Sequence, residues 1–509
     1  MSRNRFLSAE YVWLVTVVAV WNTLCFVLPD FFDNPADGWK GVLAIAFYVT
    51  ALAVGQFAIA AVLSLNRYVA AVCLPLYGML GAVVSYYRVA FHATVNPVLV
   101  DATLHTNMGT VSGVVSWQLA AWFVLQLAVS LLWVRWRWRI GRIPFPWAVL
   151  LVSVGLFALW FWGNGRLHRS AGQRYPVLVV RSVAEYVVLQ RTRNLPRELP
   201  EVRLVHPVDS LDIVMIIGEA ARADHLSLNG YGRQTCPRLS GRANVVSLPH
   251  IWSQHTHTAS SVPHILTPAD SLSPEKAYSM CSFISCLSRQ GYHTAWVSNQ
   301  DYGRTYASFI YEADTVVFPN ASKTVFVFHP WYDLDLLPPL RGLLRQQPGA
   351  HRLYVLHAIG SHWYYNNHVP DSCGRFLPTV TNRVFAQNDS MALVNSYDNT
   401  IVSMDLFVDS VISLFADRNA VLFYLSDHGE SLGEDGNWLH AAGAEETRYP
   451  AALVWYSDRY AQLFPDKVAA LEANCTKRYR TDYLFPSLLS AAGLRVEGAD
   501  AENDLFRHE

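Results

Sequence analysis

Apolar residues crowd the first third of this chain into five runs, roughly 11–29, 41–65, 68–87, 115–134 and 146–162. Each is about long enough to cross a ~30 Å hydrocarbon core. The first lacks a small-residue cleavage site and more spans follow it, so it reads as an anchor and not as a secretory signal. Beyond residue 165 the pattern changes. Residues 176–191, "PVLVVRSVAEYVVLQR", have the look of an amphipathic helix lying on a membrane surface, and Pro196, Pro200 and Pro207 mark a connector. From about 210 short apolar runs alternate with helical stretches. Strands are predicted at 212–218, 293–298, 352–358, 420–426 and 451–457, and helices at 276–289, 397–416 and 481–492. That alternation predicts an α/β domain with a mainly parallel sheet flanked by helices, whose ligands bind beyond the carboxyl ends of the strands.

Composition sharpens this picture. Of 509 residues, 52% are hydrophobic and only 16% charged, against about a quarter charged in soluble proteins. The net charge of -1 gives no footing for a nucleic-acid partner. Basic residues choose sides: Arg3 and Arg5 precede the first run, Arg67 joins the second and third, and Arg135, Arg137, Arg139 and Arg142 lie between the fourth and fifth. The alternate loops carry Asp30, Asp33, Asp37 and a lone Lys40, then nothing basic from 92 to 114. The positive-inside rule therefore predicts a cytoplasmic N-terminus and everything after 165 outside. Trp133, Trp136 and Trp138 read as interfacial anchors. The expected organisation is a five-helix transmembrane domain (1–165), a bridging helix and linker (166–209) and an external catalytic domain (210–509).

Three predicted strands run into side chains that bind metals. The first ends at Glu219, another reaches His357 and then His362, and a third ends at Asp427 and His428 with Glu430 and His440 behind. Carboxylate oxygen and imidazole nitrogen are ligands that catalytic Zn²⁺ accepts. Any one of these alone is a hydrogen-bonded core residue or a turn; several at one sheet edge favour a metal site. The stretch "SQHTHTASSVP" (253–263) offers hydroxyls beside it. A cation that lowers a hydroxyl's pKa makes it a nucleophile, and a helix starting near 258 would favour a phosphate. By chemistry alone Thr256, Thr258, Ser260 and Ser261 all qualify, and a helix cap by Thr258 is the competing reading.

The residues "GEAARADHLSLNGYGRQTCPRL" (218–239), "TASSVP" (258–263), "GSH" (360–362), "NSYDNTI" (395–401) and "SDHGESLGEDGNWLH" (426–440) resemble the phosphoethanolamine transferases of the alkaline phosphatase/sulfatase superfamily. The five-span layout is similar too. The resemblance implies a bacterial inner-membrane, multi-pass enzyme with a periplasmic catalytic domain. It would move phosphoethanolamine from phosphatidylethanolamine to lipopolysaccharide, at lipid A or a core sugar, as a zinc-dependent monomer embedded in membrane lipid. Some of the family confer polymyxin resistance in this way. By motif, Thr258 resembles the nucleophile, which also touches the metal, and Glu219, Asp427 and His428 resemble the zinc ligands. His362 and His440, with Glu430 beside them on the substrate, resemble groups that hold the phosphoryl oxygens or a second zinc, and either histidine suits an acid or base role. Asn299 in "WVSNQ" matches a substrate-pocket asparagine. The loop 96–110 sits where the family binds the donor headgroup, with Asn107 as the candidate there.

The chain departs from the family at its cysteines. The positions that usually flank the nucleophile with a disulfide look like Gln254 and His264, and the pair before "NSYDN" is missing. Five cysteines remain outside the membrane, Cys236, Cys281, Cys286, Cys373 and Cys475. Their odd number leaves at least one unpaired within the chain. His255, His257 and His264 have no family counterpart. "TCPRLS" is no sulfatase motif, because Cys236-Pro237-Arg238 lacks the intervening residue. The alternatives are a phosphoglycerol transferase of the same superfamily and a non-catalytic membrane scaffold that keeps the fold.

Overall fold

The apolar runs of the first third are helices: α1 (Ala9–Asn22), which continues as a π-helical turn over Thr23–Val27, α2 (Gly38–Leu63), α3 (Arg67–Phe91), α4 (Trp117–Arg139) and α5 (Pro146–Trp162). The computed structural model describes residues 9–31, 38–91, 95, 97, 100, 117–143, 145–162, 171–193, 196–300, 306–320, 330–346, 350–382, 388–440, 444–497 and 501–507. Among these, four helices are long and apolar enough to cross a membrane: α1 with its continuation, α2, α3 and α4. The fifth, α5, has 17 residues, which at ~1.5 Å each reaches ~25 Å. The count of five spans therefore rests on four full-length helices and a short one. Asn107, Arg3 and Arg5 lie outside the described residues.

A buried arginine inside this helical unit has specific partners. Arg137 is 3% exposed; its Nη2 donates to Leu65 O at 2.8 Å and its Nη1 to Ile140 O at 3.0 Å, while Nε donates to Ser64 O. Ser64 and Leu65 follow the last turn of α2, whose carbonyls have no intrahelical donor, so a guanidinium on α4 caps its neighbour. Arg137→Met should lower the melting temperature of the detergent-solubilised protein by several degrees, the effect of orphaning buried carbonyls at about 1–3 kcal/mol each. Unchanged melting would show that solvent satisfies them. Trp133, expected at the interface, is instead buried, with its ring 6.4 Å from Trp21. The predicted bridging helix exists as α6 (Val177–Arg193).

Contacts divide the chain into two units, and it passes from the first to the second at Val188–Leu189. The second is built on a seven-stranded sheet. Its strands are β1 (Leu211–Gly218), β2 (Val245–Ser247), β3 (His293–Ser298), β4 (Thr315–Val317), β5 (His351–His357), β6 (Ala420–Ser426) and β9 (Ala452–Tyr456), in the order β2-β9-β6-β1-β5-β3-β4. A small hairpin, β7 (Ser431–Leu432) with β8 (Trp438–Leu439), follows β6. Five strands run parallel from β6 to β4; β9 is antiparallel to β6 and to β2. The expected sheet is thus mainly parallel, with a mixed edge.

All eight residues of β1 are buried, and their alternation feeds two cores. Ile213, Met215 and Ile217 face one layer with Val262, Ile265 and Leu266 of α7 (Thr258–Leu266) and with α10 (Leu484–Ala491). Val214 and Ile216 face the other, under α8 (Leu337–Gln346) and α9 (Ser390–Phe415). A strand sends successive side chains to opposite faces, so the apolar run from Ile213 onward is what a strand covered on both sides requires. The predicted helix at 276–289 is broken in two, because Ser282 caps a fresh start by accepting from Ile284 N. All seven cysteines are free thiols.

Candidate active site

Three neighbouring parallel strands, β5, β1 and β6, end side by side, and the chemistry starts one residue beyond them. Glu219 follows β1, and Asp427 and His428 follow β6; all three are at most 1% exposed. Ligand atoms of these three lie within 4.8 Å of one another, and so do those of His428, Glu430 and His440. Thr258 opens α7, and its Oγ1 donates to Glu219 Oε2 at 3.0 Å. The cap position belongs to His257, which makes no side-chain cap bond. Thr258 is therefore turned into the acidic nest and is not capping its helix. Of the four hydroxyl candidates, Ser261 donates to the Asp427 carbonyl and Ser260 meets His257 Nε2 at 2.9 Å.

Hydrogen bonds fix the aim of each group. His428 Nδ1 donates to Gly429 O at 2.7 Å, so Nε2 is the ring nitrogen turned back at the carboxylates. It stands 3.2 Å from Glu219 Oε1 and 3.5 Å from Asp427 Oδ2. Neither His428 Nε2 nor Asp427 Oδ2 has a hydrogen-bond partner, and both are buried. Asp427 Oδ1 accepts from His428 N at 2.8 Å and Ala220 N at 3.3 Å. Glu430 Oε1 accepts the Tyr365 hydroxyl at 3.0 Å, and its Oε2 accepts His440 Nδ1 at 3.0 Å. His362 Nδ1 donates to Trp363 O at 2.6 Å, which leaves Nε2 for the site.

Electrostatics show what the nest lacks. Burial opposes the charge of Glu219, yet the close approach and charge of His428, then the charges of His362 and His440, outweigh it and hold its carboxyl well below the usual range. Asp427 is pushed up by burial and then by the charge of Glu219. Burial works against protonation of His428, but the two carboxylates win and raise it. Two buried carboxylates and an imidazole converge, and Asp427 Oδ2 among them is buried with no hydrogen-bond partner. That donor set fits a divalent cation of the zinc type, bound by Glu219, Asp427 and His428 with Thr258 at its edge.

Other expected residues stand elsewhere. Asn299 donates to Tyr332 O at 2.9 Å and Asp333 Oδ1 at 3.2 Å and accepts from Asn320 at 2.8 Å, so its amide is engaged in a buried network. That network holds the turn leading to His362: Asp333 accepts from Ile359 N at 2.7 Å and Gly360 N at 3.0 Å. Gly360, at φ +50°, is obligatory there, since a β-carbon would stand 2.7 Å from Glu219 O. His357 is fully buried edge-on to Trp296 and Tyr306 and joins neither metal-competent group. The His255 and His264 rings approach to 4.1 Å in a tilted arrangement, and burial, then the His264 charge, pushes His255 down to about 4.

Sequence reasoning missed Gln300. Its Nε2 donates to Glu219 Oε2 at 2.8 Å and to Ala358 O at 3.0 Å, so it sets the angle at which Glu219 meets Thr258. It lies two residues past β3, at the strand-end edge, where an amide carries no sequence signal of the kind that acids and imidazoles give. Tyr397 was missed too; its hydroxyl donates to Ala220 O at 2.7 Å and accepts Arg222 N at 2.9 Å. It pins the backbone just after Glu219, where Ala220 sits at φ 56°, a region that costs a side-chain-bearing residue about 1–2 kcal/mol. Gln300→Leu should slow turnover about 10–100-fold, the usual effect of losing a group that orients a ligand. A rate within twofold of the parent would show that Glu219 orients itself.

The chain matches the sulfatase family model over residues 212–494 and the model described as phosphoethanolamine transferase EptA/EptB over 52–165. It is 30% identical to phosphoethanolamine transferase EptA of Escherichia coli (strain K12) over 426 residues, covering 78% of this chain and 75% of that protein. With phosphatidylethanolamine transferase Mcr-1 of Escherichia coli it shares 26% over 498 residues, 89% and 90% of the two chains. The integral membrane lipooligosaccharide phosphoethanolamine transferase A from Neisseria meningitidis has the same fold, with a TM-score of 0.56 at 22% identity over 97% of this chain and 98% of that one.

Proposed function

The chain belongs to the phosphoethanolamine transferase family of the sulfatase superfamily, and from that premise we propose that it transfers phosphoethanolamine from phosphatidylethanolamine to lipid A, or to another sugar of lipopolysaccharide, through Thr258. The observation that carries this reading is the Thr258 hydroxyl donating at 3.0 Å into a nest of two buried carboxylates and an imidazole.

In the proposed first displacement, Thr258 Oγ attacks the donor phosphorus as the bond to the glycerol oxygen breaks. Glu219 Oε2 is the first acceptor for the threonine proton, and the diacylglycerol oxygen takes a proton from His362 or His440, whose Nε2 atoms are left free by their Nδ1 bonds. In the second, an acceptor oxygen attacks the phosphorus carried on Thr258 and loses its proton to the same histidine, while the Oγ–P bond breaks and Thr258 Oγ takes back the proton passed to Glu219. Glu219, Asp427 and His428 would hold the zinc ion, which when bound lowers the hydroxyl's pKa and neutralises phosphoryl charge. Glu430 keeps the His440 ring in place. The N-terminus of α7 presents unpaired amides towards the phosphate. Asn299 is proposed to act through the turn it braces, and Asn107 to contact the donor headgroup.

We place the helices of 1–165 in the bacterial inner membrane with the N-terminus cytoplasmic, the connector at 166–209, and the catalytic domain at 210–509 in the periplasm. Capping an acceptor phosphate with an ammonium-bearing group lowers the negative charge of the outer surface, so polymyxin resistance is an expected consequence. The test is mass spectrometry of lipid A from a cell lacking its own transferases and supplied with this chain. Phosphoethanolamine-bearing lipid A, absent with Thr258→Ala, is expected; unmodified lipid A and core would overturn the reading.

A further inference from the structure

Two tryptophans bracket the histidines assigned to the phosphoryl group. Trp363 follows His362 directly and accepts its Nδ1 hydrogen on its carbonyl. Trp438 lies on β8, two residues before His440. Together with Tyr364, both pack on a small apolar cluster of Val380, Ala392 and Leu393 that stands apart from the two cores of the sheet. The rings are held in place. Trp363 meets Tyr364 at 5.2 Å and Tyr365 at 5.1 Å, both edge-on, and the Tyr364 hydroxyl donates to Val380 O at 2.9 Å. Trp438 lies against Gly433, at φ +112°, where a β-carbon would stand 2.6 Å from the indole. None of the three is fully buried. The result is a rigid, partly exposed aromatic wall next to His362 and His440.

We propose that this wall receives the sugar ring of the acceptor, a hexopyranose whose phosphate or hydroxyl oxygen performs the second displacement. The inference rests on the transfer reading above and extends it to acceptor recognition. Three considerations carry it. The acceptor sugar is joined directly to the attacking oxygen, so it must lie within one ring's length of the histidines that handle that oxygen. A pyranose presents an apolar face of C–H bonds, and large, rigid aromatic side chains with polar edges are the groups that bind such faces at low entropic cost. The residues of the wall carry no carboxylate, and Glu430 nearby is already bonded to His440 and Tyr365. The wall's own side chains therefore supply no counter-charge for the ethanolammonium end of the donor.

The experiment is calorimetric titration of the full chain in detergent with glucosamine 1-phosphate, inorganic phosphate and phosphoethanolamine, each in the absence of donor lipid. The sugar phosphate is expected to bind about 10-fold or more tightly than inorganic phosphate. That margin should vanish in Trp363→Leu/Trp438→Leu and largely survive in Trp438→Phe, a variant that keeps the ring and the packing. Equal affinities in the parent, or a margin untouched by the double substitution, would overturn the proposal. A tryptophan-dependent gain for phosphoethanolamine and none for the sugar phosphate would also overturn it, assigning the wall to the donor's ammonium through cation–π contact. Binding is read without turnover, so a chain that prefers the sugar phosphate yet never labels Thr258 would sink the transfer reading and leave the wall standing.

Discussion

Thr258→Ala will lower transfer by about 10⁴-fold or more while leaving the fold intact, because a covalent nucleophile has no substitute within the nest. The side chain is half-buried on the first residue of α7, with its hydroxyl bonded only into the site. Removing it leaves the apolar packing of Val262, Ile265 and Leu266 untouched. Thr258→Ser keeps an oxygen at the same distance and should retain measurable activity. Glu219→Gln separates charge from shape: the amide can still face Thr258 and Gln300, yet one of the two carboxylates that attract a cation is gone. Steady-state rates with a fluorescent phosphatidylethanolamine, alongside melting curves, check all three. A Thr258→Ala rate within tenfold of the parent would move the nucleophile elsewhere.

The second large effect concerns the cation. Stripping the protein with a strong chelator should cut activity at least about 100-fold, and added zinc should restore it. Stability reports the same event through its pH dependence. Without a cation, His428 is raised from near 6.5 to about 10 by its carboxylate neighbours. The folded state then holds a proton that the unfolded chain gives up above about 6.5. That contribution is complete below 6.5 and is lost as pH rises through about 10. Asp427, also shifted upward, adds a loss of the same sign at lower pH; Glu219, shifted downward, acts only in strong acid. Zinc binding needs the neutral imidazole, so its affinity strengthens with pH. The gap in melting temperature between zinc-loaded and stripped protein should therefore widen from about pH 6 to about pH 9. A constant or narrowing gap would place the cation away from His428.

Much of this was legible before any coordinates. An apolar run such as Ile213–Gly218 can be little else than a strand covered on both faces, and an acid placed just after it lands at the ligand edge of a parallel sheet. Glu219, Asp427, His428 and Thr258 all come together as the motifs imply. What stayed hidden depends on contacts between distant segments. Gln300, Tyr397 and Asp333 orient the site through hydrogen bonds to distant segments, 81 residues away in the case of Gln300 and Glu219, and nothing in their local pattern marks them. Trp133 was misplaced for a related reason: an aromatic near a helix end suits an interface, and only the position of Trp21 shows that its ring is packed inside. The break at Ser282 escaped because a cap can lie inside an apparently continuous helical pattern.

The measurement closest to the central claim is mass spectrometry of the Thr258 peptide after incubating purified, zinc-loaded protein with phosphatidylethanolamine and no acceptor. The account predicts a phosphoethanolamine adduct on Thr258 that is absent in Glu219→Ala and is discharged when lipid A is added. An adduct formed only with phosphatidylglycerol would replace the donor. No adduct from any phospholipid, in folded zinc-loaded protein, would contradict a covalent threonine mechanism.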